Sequence, residues 1–241
     1  DSERMIAAAL GDATGHALNY FSLLRPYSET RIASLFARET NFDSVFSSCN
    51  RNFRLVGHEG DLWCGDCPKC HFVFLILAPF MAPERLTKIF GQNLLDQPQH
   101  FDAYRELAGL AGQKPWECVG EILEAAACLY HLSSDPSWQD STIVREVQGQ
   151  LLAQYGSDML RTAWAELMAD ADVHLVPKSL AEKVREVSHI LSERAADYEY
   201  NYGDDLHKEC VMDFQVGSWP STKCKLVGRT FSRPLNRPPA E

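Results

Sequence analysis

Trp63-Cys-Gly-Asp-Cys-Pro-Lys-Cys70 sets three cysteines at Cys-x2-Cys-x2-Cys spacing, and a gap of 14 residues separates Cys64 from a fourth, Cys49. A tight turn converges three thiolates and a longer loop returns the last, as a tetrahedral S4 zinc centre requires. Cys49, Cys64, Cys67 and Cys70 are therefore the expected ligands of a structural zinc. His58, in the intervening loop, offers an imidazole in place of one sulfur, although a histidine in a charged loop is ordinarily just solvated. A pair of disulfides is the competing reading, but no signal-peptide pattern accompanies it, and in a reducing compartment this spacing favours metal. Pro68 suits the first position of a helix through Cys70-His-Phe-Val-Phe-Leu-Ile-Leu77, whose amides and dipole favour thiolates at Cys67 and Cys70.

Working outward, 45% hydrophobic and 23% charged residues in a chain of 241 predict a globular protein able to bury a core. A formal charge of -10 argues against broad nucleic-acid or membrane-surface binding, which needs a basic face. The longest apolar run, 72–82, contains Pro79 and is too short to cross a bilayer, so it reads as a buried helix. The chain starts Asp1-Ser-Glu without methionine, which suggests a fragment or a processed product.

Residues 1–10 read as helix, Asn19 to Leu24 as a short strand, and Ser28 as the cap of an amphipathic helix carrying Ile32, Leu35 and Phe36. Asp43 to Ser48 is a second strand candidate that would deliver Cys49 at its end. Residues 1–96 are thus expected to form an α/β unit with the zinc knuckle. Three- and four-residue apolar spacing then predicts helices over Pro83 to Gly91, Gln99 to Leu110, Val119 to Leu132 and Ser141 to Tyr155. A capping box at Ser179 and Glu182, followed by the stripe Leu180, Val184, Val187 and Leu191, completes a helical region over 97–200. Periodicity stops at Asn201, leaving an irregular tail over 201–241, where Cys210 and Cys224 are two ordinary thiols.

Motifs that cradle phosphate are missing: the sequence has no Gly-Gly pair, no Gly-x-Gly-x-x-Gly and no Gly-x4-Gly-Lys-Ser/Thr. Gly-x-Ser-x-Gly and His-Glu-x-x-His are absent too, which removes the local geometry of serine hydrolases and zinc proteases. A zinc closed by four cysteines has no open position for catalysis.

Five ordered stretches carry a resemblance: Tyr20-Phe-Ser-Leu-Leu-Arg-Pro-Tyr-Ser-Glu29, Ser47-Ser-Cys-Asn-Arg-Asn-Phe-Arg54, the knuckle continued to Phe80, Gly91-Gln-Asn-Leu-Leu-Asp96, and Lys114-Pro-Trp-Glu-Cys-Val-Gly-Glu121. Over roughly residues 1 to 130 the chain resembles the UDP-N-acetylmuramoyl-L-alanyl-L-glutamate epimerases. The resemblance implies a cytoplasmic isomerase that uses ATP and magnesium to invert the terminal L-glutamate of a UDP-linked muramoyl dipeptide, for peptidoglycan synthesis. It also implies the C-terminal part of a pyrophosphatase-type ATP-dependent α/β domain, whose phosphate-binding N-terminal half lies outside these 241 residues. The knuckle is similar to the four-cysteine cluster of queuosine-pathway deazaguanine synthases, which implies that it is structural and borders an ATP site.

Removing the α-proton of a free carboxylate would place two negative charges side by side, and an acyl-adenylate relieves that repulsion; a base, an acid on the opposite face and donors to the enolate oxygen remain to be supplied. Within the matching motifs, Cys118 is the candidate for proton transfer, with Glu117 and Glu121 as flanking bases or metal ligands. The bland alternatives are a buried core cysteine and acidic decoration of a first helical turn. Five arginines between Arg25 and Arg54 face Glu29, Glu39 and Asp43, a local net of +2. Arg25, Arg51 and Arg54 accordingly suit the precursor's diphosphate, its carboxylates or an ATP phosphate, with Ser28 and Glu29 beside them. Surface ion pairs and a helix cap are the competing readings. A non-catalytic, zinc-stabilised helical interaction module stands as the alternative function.

Overall fold

The computed structural model describes residues 2–52, 61–171 and 174–184. Among the described residues, seven α-helices precede a last helical stretch at 178–184: α1 (Ser2–Thr14), α2 (Glu29–Phe36), α3 (Pro68–Leu77), α4 (Pro83–Phe90), α5 (Phe101–Leu107), α6 (Ile122–Leu132) and α7 (Thr142–Met168). Single 3-10 turns stand at Thr40–Phe42, Ala78–Phe80, Leu94–Asp96 and Pro98–His100. Among the described residues there is no strand, and no helix is long and apolar enough to cross a membrane.

Both strand expectations are corrected, because local bonds take up the amides a ladder would need. In Asn19 to Leu24 the Ser22 amide donates to the Glu3 carboxylate at 2.6 Å, and a turn follows in which the Arg25 amide donates to Ser22 O. In Asp43 to Ser48 the Val45 and Phe46 amides both donate to Phe42 O. Asp43 itself accepts a forked pair from Arg85, Nε at 2.7 Å and Nη2 at 2.8 Å, pinning this turn to α4. The described part of residues 1–96 is therefore helix and loop.

α3 is the central element. Its residues Cys70, His71, Phe72, Phe74, Leu75, Ile76 and Leu77 are all buried, and it touches α2, α4, α5 and α6. A helix apolar on every side requires such surroundings. Six aromatic rings run through the core beside it: Phe36 to Phe46 at 4.9 Å between centroids, Phe46 to Trp63 at 5.3 Å, Trp63 to Phe90 at 4.4 Å, Phe90 to Phe74 at 5.1 Å and Phe74 to Trp138 at 5.8 Å. Trp63 thus anchors the first residue of the knuckle in the core, with 3% of its surface exposed.

α6 and α7 form the most extensive helix pair among the described residues. Ala125, Ala126 and Ala127 keep the α6 surface low, and Ile143, Val144, Val147, Leu151, Leu160 and Ala163 supply the buried side of α7. The expected helix ended at Tyr155, and α7 breaks one residue later, at Gly156 (φ 73°, ψ 153°), before resuming to Met168. Only glycine occupies that backbone region cheaply. The late helix, over 178–184, starts ahead of Ser179, because the Leu180 and Ala181 amides donate to Pro177 O. The box at Ser179 and Glu182 is therefore not its cap, and Val187, Leu191 and the expected tail lie outside the described residues.

Candidate functional site

Local sequence builds the knuckle. Cys67 is the N-cap of α3, accepting the Cys70 amide on its sulfur at 3.4 Å, and Pro68 stands in the first turn as expected. The Cys64 amide donates to Cys49 Sγ at 3.4 Å. All four sulfurs lie within 4.8 Å of one another, with Cys49 to Cys67 at 3.9 Å, Cys64 to Cys70 at 3.7 Å and Cys67 to Cys70 at 3.4 Å. A tetrahedral zinc with sulfur at about 2.3 Å places its ligands about 3.8 Å apart. The cluster fits that geometry. The hydrogen bond between the Cys67 and Cys70 sulfurs pulls Cys67 down to about 4, while the same bond pushes Cys70 up and burial raises Cys64. One thiolate stabilised by its neighbours' protons is the metal-free balance of such a cluster, and a cation would release those protons. His58 and Arg54 lie outside the described residues.

A separate cleft of about 870 Å³ opens between the turn ahead of α2, the segment leading into α6, and the end of α7. It gathers Arg25, Ser28 and Glu29 from the first of these with Glu117, Cys118 and Glu121 from the second. Six of the expected site residues, drawn from motifs almost 90 positions apart, therefore share one surface. Arg51 does not join them: its Nη1 sits 2.7 Å from Asp66 Oδ2, at the knuckle.

Each cleft residue has a definite environment. Ser28 caps α2, accepting the Arg31 amide at 2.9 Å, and its hydroxyl donates to Leu167 O at 2.8 Å. Arg25 Nε lies 3.8 Å from Glu3 Oε2. Glu117 accepts from Asn50 Nδ2 at 2.8 Å, and Glu121 forms a capping box with Glu124 at the start of α6. Cys118 is exposed, so the core-packing alternative fails. Among the described residues, no side-chain hydrogen bond engages the Cys118 thiol or the Glu29 carboxylate. Desolvation, reinforced by Glu124 and Glu121, raises the Glu29 carboxyl above its ordinary value, against the opposing pull of Lys69 and Lys114.

Glu124 escaped the sequence reading. Only 5% exposed, it accepts from both the amide and the hydroxyl of Thr30 at 2.8 Å, tying α6 to α2 beneath the cleft. Its three-residue spacing from Glu121 was the available signal. Lys114, Glu166 and Asp170 also line the cleft, whose six carboxylates (Glu29, Glu117, Glu121, Glu124, Glu166, Asp170) outnumber its two basic groups, Arg25 and Lys114.

The knuckle and the cleft touch through side chains. Asn50, next to Cys49, holds Glu117, and Lys69 Nζ donates to Cys118 O. Gly120 lies so close to α3 that a β-carbon there would stand 2.2 Å from Phe72 Cζ and 2.5 Å from Glu124 Oε2.

Residues 45–161 match the family model described as the MurL C-terminal domain. Over this segment the chain is similar to that family. Similar relatives carry the description UDP-N-acetyl-alpha-D-muramoyl-L-alanyl-L-glutamate epimerase. The protein of Salinispora tropica is 48% identical over 144 residues, 60% of this chain and 31% of the relative. That of Xanthomonas oryzae pv. oryzae is 43% identical over 169 residues, 70% of this chain and 37% of the relative. That of a Micromonospora species is 46% identical over 145 residues, 60% and 32%. The matched stretch spans about a third of these relatives' length. No solved structure matches the chain.

Proposed function

We propose that this chain supplies the zinc-braced C-terminal part of an ATP-dependent epimerase that inverts the terminal L-glutamate of UDP-N-acetylmuramoyl-L-alanyl-L-glutamate. The relatives' descriptions support the reaction, and the gathering of Arg25, Ser28, Glu29, Glu117, Cys118 and Glu121 around one cleft carries the assignment of residues. Cys118 exchanges the glutamate α-proton, because its exposed thiol is unengaged by side chains while Asn50 and the α6 cap occupy Glu117 and Glu121. Glu29, its carboxyl raised by burial, is suited to move a proton on the opposite face. Arg25 binds a substrate carboxylate.

Zinc closed by Cys49, Cys64, Cys67 and Cys70 braces the floor of this site and takes no part in the chemistry. An anionic substrate entering a cleft richer in carboxylates than in bases needs a cation as charge partner, which supports the magnesium implied by the sequence resemblance. No stretch of this sequence cradles phosphate, so we assign none of its residues to ATP, which belongs with an N-terminal half of pyrophosphatase-type α/β fold, in a cytoplasmic enzyme.

The test uses full-length protein, the L-glutamate precursor and ATP in deuterated water. Wild type places deuterium at the glutamate α-carbon, Cys118→Ser lowers the rate by about 100-fold or more, and Glu117→Gln has a smaller effect. An unchanged rate in Cys118→Ser removes the thiol from the mechanism, and absence of exchange in wild type removes the reaction.

A further inference from the structure

The turn that carries the cysteines also carries a second convergence of ligand atoms. Asp66, His71 and His100 each offer one atom, and these lie within 4.8 Å of one another. They come from separate places: the knuckle turn, the first turn of α3 and the 3-10 turn Pro98–His100. His71 is 2% exposed and His100 4%. Neither nitrogen of His71, nor Nδ1 of His100, has a hydrogen-bond partner among the described residues. The buried hydroxyl of Tyr104, whose ring lies 5.3 Å from that of His71, lacks one as well. A buried polar atom left without a partner is destabilising, so the unpartnered imidazole nitrogens call for a ligand.

We propose that Asp66, His71 and His100 hold a second divalent transition-metal ion, separate from the one held by sulfur. Two imidazoles and a carboxylate select zinc, cobalt or ferrous iron, whereas magnesium keeps to oxygen and water. Asp66 is already shaped for the task. Its Oδ2 is fixed by Arg51 at 2.7 Å, and its Oδ1 turns toward His100 Nε2 at 3.8 Å. The imidazole rings stand 4.5 Å apart, and modest side-chain rotation draws the donors to the roughly 3.4 Å separation of tetrahedral nitrogen and oxygen ligands. Three protein ligands leave a position open, on the side where Asp66 is 61% exposed. The neighbouring centre adds attraction, because a divalent ion with four thiolates carries net charge -2, and His71 directly follows Cys70.

Metal content per chain, measured by mass spectrometry on full-length protein loaded with zinc and desalted, decides the matter. Wild type should hold two equivalents. Asp66→Ala, at an exposed position outside the core, should hold one tightly and bind the second at least ten-fold more weakly. His100→Gln should behave likewise. Cobalt substitution separates the centres, since thiolate-to-cobalt charge transfer persists in both variants while the weaker bands of a nitrogen and oxygen site disappear. One equivalent in saturated wild type, or two undiminished equivalents in Asp66→Ala, overturns the proposal. Loss of one equivalent in Cys67→Ser with retention of the other keeps this site independent of the sulfur centre.

Discussion

Thr30 and Glu124 show how much one buried carboxylate can organise. Its two bonds to Thr30 join α2 to α6, and its other oxygen takes the Glu121 amide at 3.4 Å. Replacing Glu124 by leucine strands the Thr30 donors and should cost about 3 kcal/mol in urea unfolding, whereas Thr30→Val should cost about 1 kcal/mol. Equal costs would show that the two do not act as a donor and its hub. Gly120→Ala is expected to be harsher than its size suggests, since the new methyl meets Phe72 and Glu124 at once. About 2–3 kcal/mol of stability should be lost, and the proposed epimerisation should slow with it. A neutral Gly120→Ala would mean that the segment entering α6 stands further from α3.

Helices were legible where their signals are local. The cap at Ser28, the proline opening α3 and the stop before Gly156 each act within one turn of chain, so the sequence carries them whole. The strands were not legible as loops, because the apolar pieces 19–24 and 43–48 are held by Glu3 and Arg85, residues whose positions only the fold decides. The cleft was half legible for the same reason: Cys118 and Arg25 sat in quoted motifs, while Glu166 and Asp170 arrive with the end of α7. Between α6 and α7, His131 lies flat on Trp164, with centroids 3.8 Å apart and planes 9° from parallel. Burial lowers its imidazole below the ordinary value, with Asp135 opposing. A lowered histidine means that the unfolded chain binds the proton better. Its contribution is therefore complete above the unfolded pKa of about 6.5 and drains away as pH falls through that value toward the folded one. His131→Phe should remove this loss, so that unfolding free energies measured at pH 8 and pH 5.5 differ less in the variant than in wild type. An equal difference in both proteins would clear His131 of the effect.

At the scale of the molecule, the sulfur cluster closes a loop from Cys49 to Cys70 and seats Trp63 in the core. Stripping metal with a chelator under reducing conditions should lower the melting temperature by several degrees or more and loosen near-ultraviolet tryptophan signals before helix content falls. Cys67→Ser should start from that loosened state, and a chelated protein that melts unchanged would show the metal to be dispensable for the fold. The ties from Asn50 to Glu117 and from Lys69 to the Cys118 carbonyl give this brace one more property. On the proposed reading, metal at the sulfur centre and a ligand in the cleft would each bear on residues 117–121 through these ties. Any ligand that binds better when residues 117–121 are held must tighten the metal by the same factor by which the metal tightens it.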